Sequence, residues 1–311
     1  MKAILSSRVA YGKALAEIGA RLPEVAVLDA DLAKATQTAY FAAKFPERFF
    51  DMGIAEQNMM TTAAGMATFG LIPFVSTFAV FASLRAGEQL RNMIAYPKLN
   101  VKIVATHAGI ENGGDGGSHQ SVEDIAVVRA IPNMTVVAPA DHVATAKAVE
   151  TIARFQGPVY MRIGRADHEA IYDASFRFEI GKSHQLRPGN DLTIIAIGNL
   201  VAKALQAADQ LAGMGYSVRV IDMYSLKPLD ETAIVKAARE TRGIITAEDH
   251  NIIGGLGSAV AEVLAEHQPA VVKRIGLVDC FGQSGDCDSL MEYYGLTAAN
   301  IVKAAQSILG R

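Results

Sequence analysis

Apolar runs of strand length, rich in β-branched residues, recur along this chain: EVAVLDA at 24–30, LIPFVSTF at 71–78, NVKIVATH at 100–107, MTVVAPA at 134–140 and PVYMRIG at 158–164. A strand that is apolar at most positions, rather than at every second one, has both faces covered, as inside a parallel sheet sheathed by helices. Between the last two runs, residues 141–156 set Ala144, Ala148 and Ile152 on one helical face. Strand, helix and strand in that order predict right-handed parallel crossovers and an α/β architecture.

The alternation lapses at 169–190, a polar stretch with turn residues and little periodicity, which reads as a linker. A second series follows: strands at LTIIAIGN, YSVRVIDM, GIITAED and VKRIGLVD, helices at VAKALQAADQLAGMG, DETAIVKAARET and GGLGSAVAEVLAE. The expected organisation is a mainly parallel, helix-flanked sheet over 1–168, the linker, and a smaller α/β domain of mixed sheet over 191–311, whose role is assembly. A chain of 311 residues, 50% of them hydrophobic, has the material for two such cores at roughly 150 residues per domain.

Twenty-nine Lys and Arg against 32 Asp and Glu leave a net charge of -3 and no basic tract, which argues against a nucleic-acid partner. Cys280 and Cys287 make neither a disulfide framework nor a zinc site. Neither a signal peptide nor a membrane span is legible, so a cytoplasmic protein is expected.

Three segments carry chemistry. Residues 50–70, FDMGIAEQNMMTTAAGMATFG, set Glu56 in otherwise apolar helix text. Such a carboxyl must be paired or protonated, and protonated it could share its hydrogen with a ring nitrogen, although at a helix start the dipole alone accounts for it. Phe78 and Phe81, three apart after a strand, could sandwich a flat heterocycle or simply fill core. Residues 106–124, THAGIENGGDGGSHQSVED, form a glycine-rich loop that brings His107, Asp115 and His119 to the end of a strand, where α/β proteins place ligands. No fixed ligand spacing marks a metal. The GDG at 114–116 reads as a turn, since Asn133 and Asn190 are misplaced to complete a GDG-to-Asn metal signature.

Taken in order, GIAEQ at 53–57, PFVSTFAVF at 73–81, THAGIENGGDGGSHQSVED at 106–124, RAIPNMTVVAPAD at 129–141 and EDHNIIGGLGSAV at 248–260 resemble the pyrimidine-binding and C-terminal domains of transketolases. The resemblance covers essentially the whole chain and implies two of the family's three domains. The domain without a counterpart carries the thiamine diphosphate and its Mg2+ or Ca2+, so it implies an N-terminal transketolase subunit as partner, self-association into a dimer core, and a heterotetramer with two copies of each chain.

By the same resemblance, Glu56 contacts the aminopyrimidine and favours the tautomer that deprotonates the thiazolium. Phe78 and Phe81 stack on that ring, Leu84 stands where some relatives carry a third aromatic, and Asp31 lies near the thiazolium. Asp115 and His119 bind sugar hydroxyls and the reacting carbonyl, while Arg8, His107 and Arg165 form a cationic set for the phosphate of a phosphosugar. The function implied is two-carbon ketol transfer between phosphosugars. Three alternatives remain: a subunit like deoxyxylulose-phosphate synthase, which shares the AEQ at 55–57, a 2-oxo acid dehydrogenase beta-type subunit, and a non-catalytic binding subunit.

Overall fold

The computed structural model describes residues 4–310. Six parallel strands form the body of the first sheet, in the spatial order Phe49–Asp51, Val25–Asp29, Ile72–Phe78, Lys102–Thr106, Val159–Arg162 and Thr135–Val137. Val25–Asp29 and Lys102–Thr106 are buried at every position, the condition that continuous apolar runs anticipate. Lys102 is tolerated inside because its ammonium donates to Asn100 Oδ1, Phe155 O and Gly157 O at 2.6, 2.6 and 2.8 Å. A seventh strand, Ser225–Lys227, joins this sheet antiparallel to Thr135–Val137, and it comes from the second domain.

The second sheet is smaller and mixed. Val272–Leu277, Ile244–Asn251, Leu192–Ala196 and Val218–Asp222 run parallel, and His184–Arg187 closes the edge antiparallel. The two domains therefore have the architecture expected of them. What the residues did not announce is the exchange between them through Ser225–Lys227.

The segment expected as a linker is structured. Asp167–Glu169 pairs antiparallel with Ile4–Ser6, and His184–Arg187 is the edge strand just described. Between them Tyr172, Phe176 and Phe178 are buried; the rings of Tyr172 and Phe176 stack at 3.7 Å, and Phe178 lies 4.4 Å from Tyr224. The polar residues among them face outward, so no single period betrays the apolar set.

Asp141 ties this segment down. Its Oδ1 caps the helix His142–Arg154 by accepting from Ala144 N at 2.7 Å, and its Oδ2 accepts from Ile171 N and Tyr172 N at 2.6 and 2.9 Å. Replacement Asp141→Ala strands three buried or half-buried N–H groups and is expected to lower the unfolding free energy by about 2–4 kcal/mol. Urea unfolding will show this as a fall in midpoint, with Asp141→Asn losing less.

Candidate active site

Parallel strands deliver their C-terminal ends to one edge, and the loops there carry nearly every residue singled out from sequence. Asp31 follows Val25–Asp29, Glu56 follows Phe49–Asp51, Phe78 ends Ile72–Phe78, and Arg165 follows Val159–Arg162. His107, Asp115 and His119 follow Lys102–Thr106, while Arg8 enters from the first turn of the helix Ser7–Arg21.

Glu56 is the first residue of the helix Glu56–Thr68 and only 2% exposed. Ala55 offers no capping side chain there, so the carboxylate itself meets the positive helix end. Its Oε1 takes a hydrogen bond from Arg85 at 2.8 Å, whereas Oε2 is buried with no partner. A buried oxygen left in that state costs free energy that a ligand donor would recover.

Arg85 continues the chain of contacts, lying 4.2 Å from the Phe81 ring, cation over π face. Phe81 and Phe78 are nearly parallel at 5.8 Å, the His107 imidazole stacks on Phe78 at 3.9 Å, and His119 sets its edge against both phenyl rings at 6.2 and 5.3 Å. Glu56, the two aromatics and both histidines are thus brought into one cluster. Leu84 stays outside it, half exposed.

A cleft of about 420 Å³ opens beside this cluster, lined by Arg8, Arg165, Asn112, Glu111 and Cys287 among others. Arg8 donates Nε and Nη2 to Arg165 O at 3.2 and 3.1 Å and Nη1 to Ala35 O at 2.6 Å. Arg165 donates to Asn112 O at 2.6 Å and lies 3.6 Å from Asp115. His107 departs from the expected cationic set: burial, with Arg8, Arg165 and His119 adding repulsion, holds its pKa down at about 3. At neutral pH the two guanidiniums line the cleft, while the neutral imidazole stays stacked on Phe78. Asp31 is exposed, and its N–H and that of Gly53 both donate to Asp51 Oδ1 at 3.0 Å, which fastens its loop to the approach to Glu56.

Sequence reasoning missed Arg85, Asp51 and Asn112. Asn112 is buried, donates to His119 O at 2.7 Å and leaves Oδ1 unpartnered. An asparagine beside glycines reads as a turn former, so no signal in the text distinguished it. Asp31 and His107 do share one backbone mark, φ values of 61° and 57°, in the left-handed region that side-chain-bearing residues adopt where surroundings enforce it.

Comparison with known proteins decides the family. Residues 4–169 match the model of the transketolase pyrimidine-binding domain, and residues 181–301 that of the transketolase C-terminal domain. The chain belongs to the transketolase family. A Methanocaldococcus jannaschii protein provisionally named as a transketolase C-terminal section is 53% identical over 299 residues, 95% of this chain and 94% of its own. A 6-deoxy-6-sulfo-D-fructose transketolase subunit of a Clostridium species is 42% identical over 304 residues, 98% of this chain and 94% of its own. Among solved structures, one described as an inactive β4 tetramer of a split-gene transketolase superposes with a TM-score of 0.92 at 53% identity, covering 98% of each chain.

Transketolases imply thiamine diphosphate, and the residues present fit its aminopyrimidine end. The orphaned Glu56 Oε2 suits a ring nitrogen bearing hydrogen, and the Phe78–Phe81 pair offers flat apolar surface beside it. This transketolase site also has a pH signature. His107 is neutral in the folded chain down to about pH 3 but takes a proton near 6.5 once unfolded, so folding stability falls as pH drops through that interval. In His107→Asn the pH slope of stability between 6 and 4 should differ from wild type by one proton, about 1.4 kcal/mol per pH unit, measurable by urea unfolding across pH.

Proposed function

We propose that this chain is the pyrimidine-binding and C-terminal subunit of a split transketolase, which moves a two-carbon ketol unit between phosphosugars once paired with a subunit carrying the diphosphate-binding domain. The observation that carries the reading is Glu56: a buried carboxylate with one oxygen fixed by Arg85 and the other free, beside two near-parallel phenyl rings.

Bound thiamine diphosphate supplies the nucleophilic carbon and the electron sink. Around it, Glu56 holds a proton at the pyrimidine nitrogen through Oε2, with Arg85 fixing the direction of the carboxylate. Phe78 and Phe81 would hold the pyrimidine by stacking, and Asp31 would serve the thiazolium. His119 and Asp115 orient sugar hydroxyls and the reacting carbonyl, and neutral His107 accepts or donates one hydrogen bond without competing for charge. Arg8 and Arg165 receive a phosphate; each already spends N–H groups on backbone carbonyls, which fixes its plane before substrate arrives.

Support for a partner comes from the surface around Glu56. Ile54 and Phe69 are exposed just before and just after its helix, and Leu84, Met93 and Tyr96 on and beside the helical turns packed against that helix, apolar side chains of the kind a protein interface covers. The name of the tetrameric relative, an inactive assembly of β chains alone, is consistent with a chain that needs a second subunit.

The test is ketol transfer from xylulose 5-phosphate to ribose 5-phosphate with thiamine diphosphate and Mg2+, for this chain alone and mixed with the product of a neighbouring gene. Activity is expected only in the mixture, and Glu56→Gln should reduce it by at least ~100-fold, the lower range for loss of a positioned proton-transfer group. Activity of this chain alone, or an undiminished Glu56→Gln rate, would overturn the assignment.

A further inference from the structure

The motif EDHNIIGGLGSAV lies in the second domain, and assembly alone does not require its burial pattern. Glu248, Asp249 and His250 are all buried. Glu248 accounts for itself locally, accepting from Leu256 N and Gly257 N at 2.7 and 2.8 Å as the cap of the helix Leu256–His267. His250 accepts weakly from Ala126 N at 3.5 Å, and its Nδ1 donates to Asn251 O at 2.6 Å. Asp249 crosses to the first domain more firmly, with both carboxylate oxygens on the glycine-rich loop.

Four consecutive N–H groups at the start of the glycine-rich loop need acceptors. Ala108 N donates to Ile163 O at 3.3 Å and Gly109 N to Ser121 O at 2.8 Å, both within the first domain. The next two go to Asp249: Ile110 N to Oδ1 at 3.0 Å and Glu111 N to Oδ2 at 3.3 Å. These two amides open the short helix Ile110–Asp115, so the carboxylate also sits at its positive end. Gly109 is required by the same contact. Its φ is 76°, and a Cβ there would stand 2.1 Å from Asp249 Oδ2.

Asp249 is itself held, since Arg162 Nη2 donates to its backbone oxygen at 2.7 Å and Asn199 Nδ2 approaches Oδ2 at 3.4 Å. One residue beyond the clamped amides lies Asn112, which bonds His119 O and receives Arg165. We infer that Asp249 is a positioning residue for the proposed active site: the second domain, through this carboxylate, sets the loop that presents His107, Asp115 and His119. The inference rests on the ketol-transfer reading for the chemistry, but the clamp itself does not.

Amide hydrogen exchange on the whole chain, compared for wild type, Asp249→Ala, Asp249→Asn and Gly109→Ala, tests the clamp. In Asp249→Ala, exchange at Ile110 and Glu111 should accelerate by at least ~10-fold, as expected for losing bonds to a charged acceptor, with the far ends of both sheets unchanged. Gly109→Ala keeps the carboxylate but displaces it, and should reproduce the effect; Asp249→Asn, with one acceptor oxygen, should fall between. In the reconstituted pair the same order should appear as a rise in KM for the acceptor sugar that exceeds the fall in kcat. Loop exchange unchanged, or raised evenly over both domains in all three variants, overturns the inference. Loosened loops together with a wild-type pair that transfers no ketol unit uphold the clamp and sink the reading of the chemistry.

Discussion

The buried pair of Arg162 and Asp124 is the interaction on which the remaining arrangement depends. Both side chains are almost fully withdrawn from water, so their attraction repays desolvation only if the remaining donors and acceptors are also met. Asp124 receives Arg162 Nε on both oxygens and Tyr160 OH at 2.9 Å, while Arg162 Nη2 turns to Ser121 O and Asp249 O. One guanidinium thereby joins the strand Val159–Arg162 of the first domain, the helix that follows the glycine-rich loop, and the second domain. Everything at the site edge hangs from elements this residue has already brought together.

Much of the architecture was open to reading because parallel strands buried on both faces leave an unmistakable text. The helix His142–Arg154 and the strands Val25–Asp29, Ile72–Phe78, Lys102–Thr106, Thr135–Val137 and Val159–Arg162 follow from period and apolar length, and Asp141 sits where a cap is wanted. The segment 169–190 was opaque for a physical reason. Its core-forming rings are spaced to suit packing, Phe176 and Phe178 against Tyr224 and Tyr172 against Phe176, and not any regular helix or strand.

The site divides in the same manner. Glu56 was conspicuous because a carboxyl among small apolar residues is costly, and the structure keeps it costly by leaving one oxygen unanswered. Arg85 and Asn112 were invisible because arginine on a helix and asparagine near glycine are commonplace, and their meaning comes from what they face. The resemblance places His107 in a cationic set with Arg8 and Arg165, but burial, with those same arginines adding repulsion, keeps the imidazole neutral.

The strand Ser225–Lys227 gives the two-domain description an unexpected limit. Because it occupies the flank of the first sheet, a first domain severed within 169–190 would present Thr135–Val137 with its ladder groups bare, a template for adventitious strand pairing. The second domain therefore acts as a built-in guard for the first. Shuffling these domains between relatives as separate cassettes would have to carry Ser225–Lys227 along with the piece it protects, which makes the heritable unit of this fold longer than either of its domains.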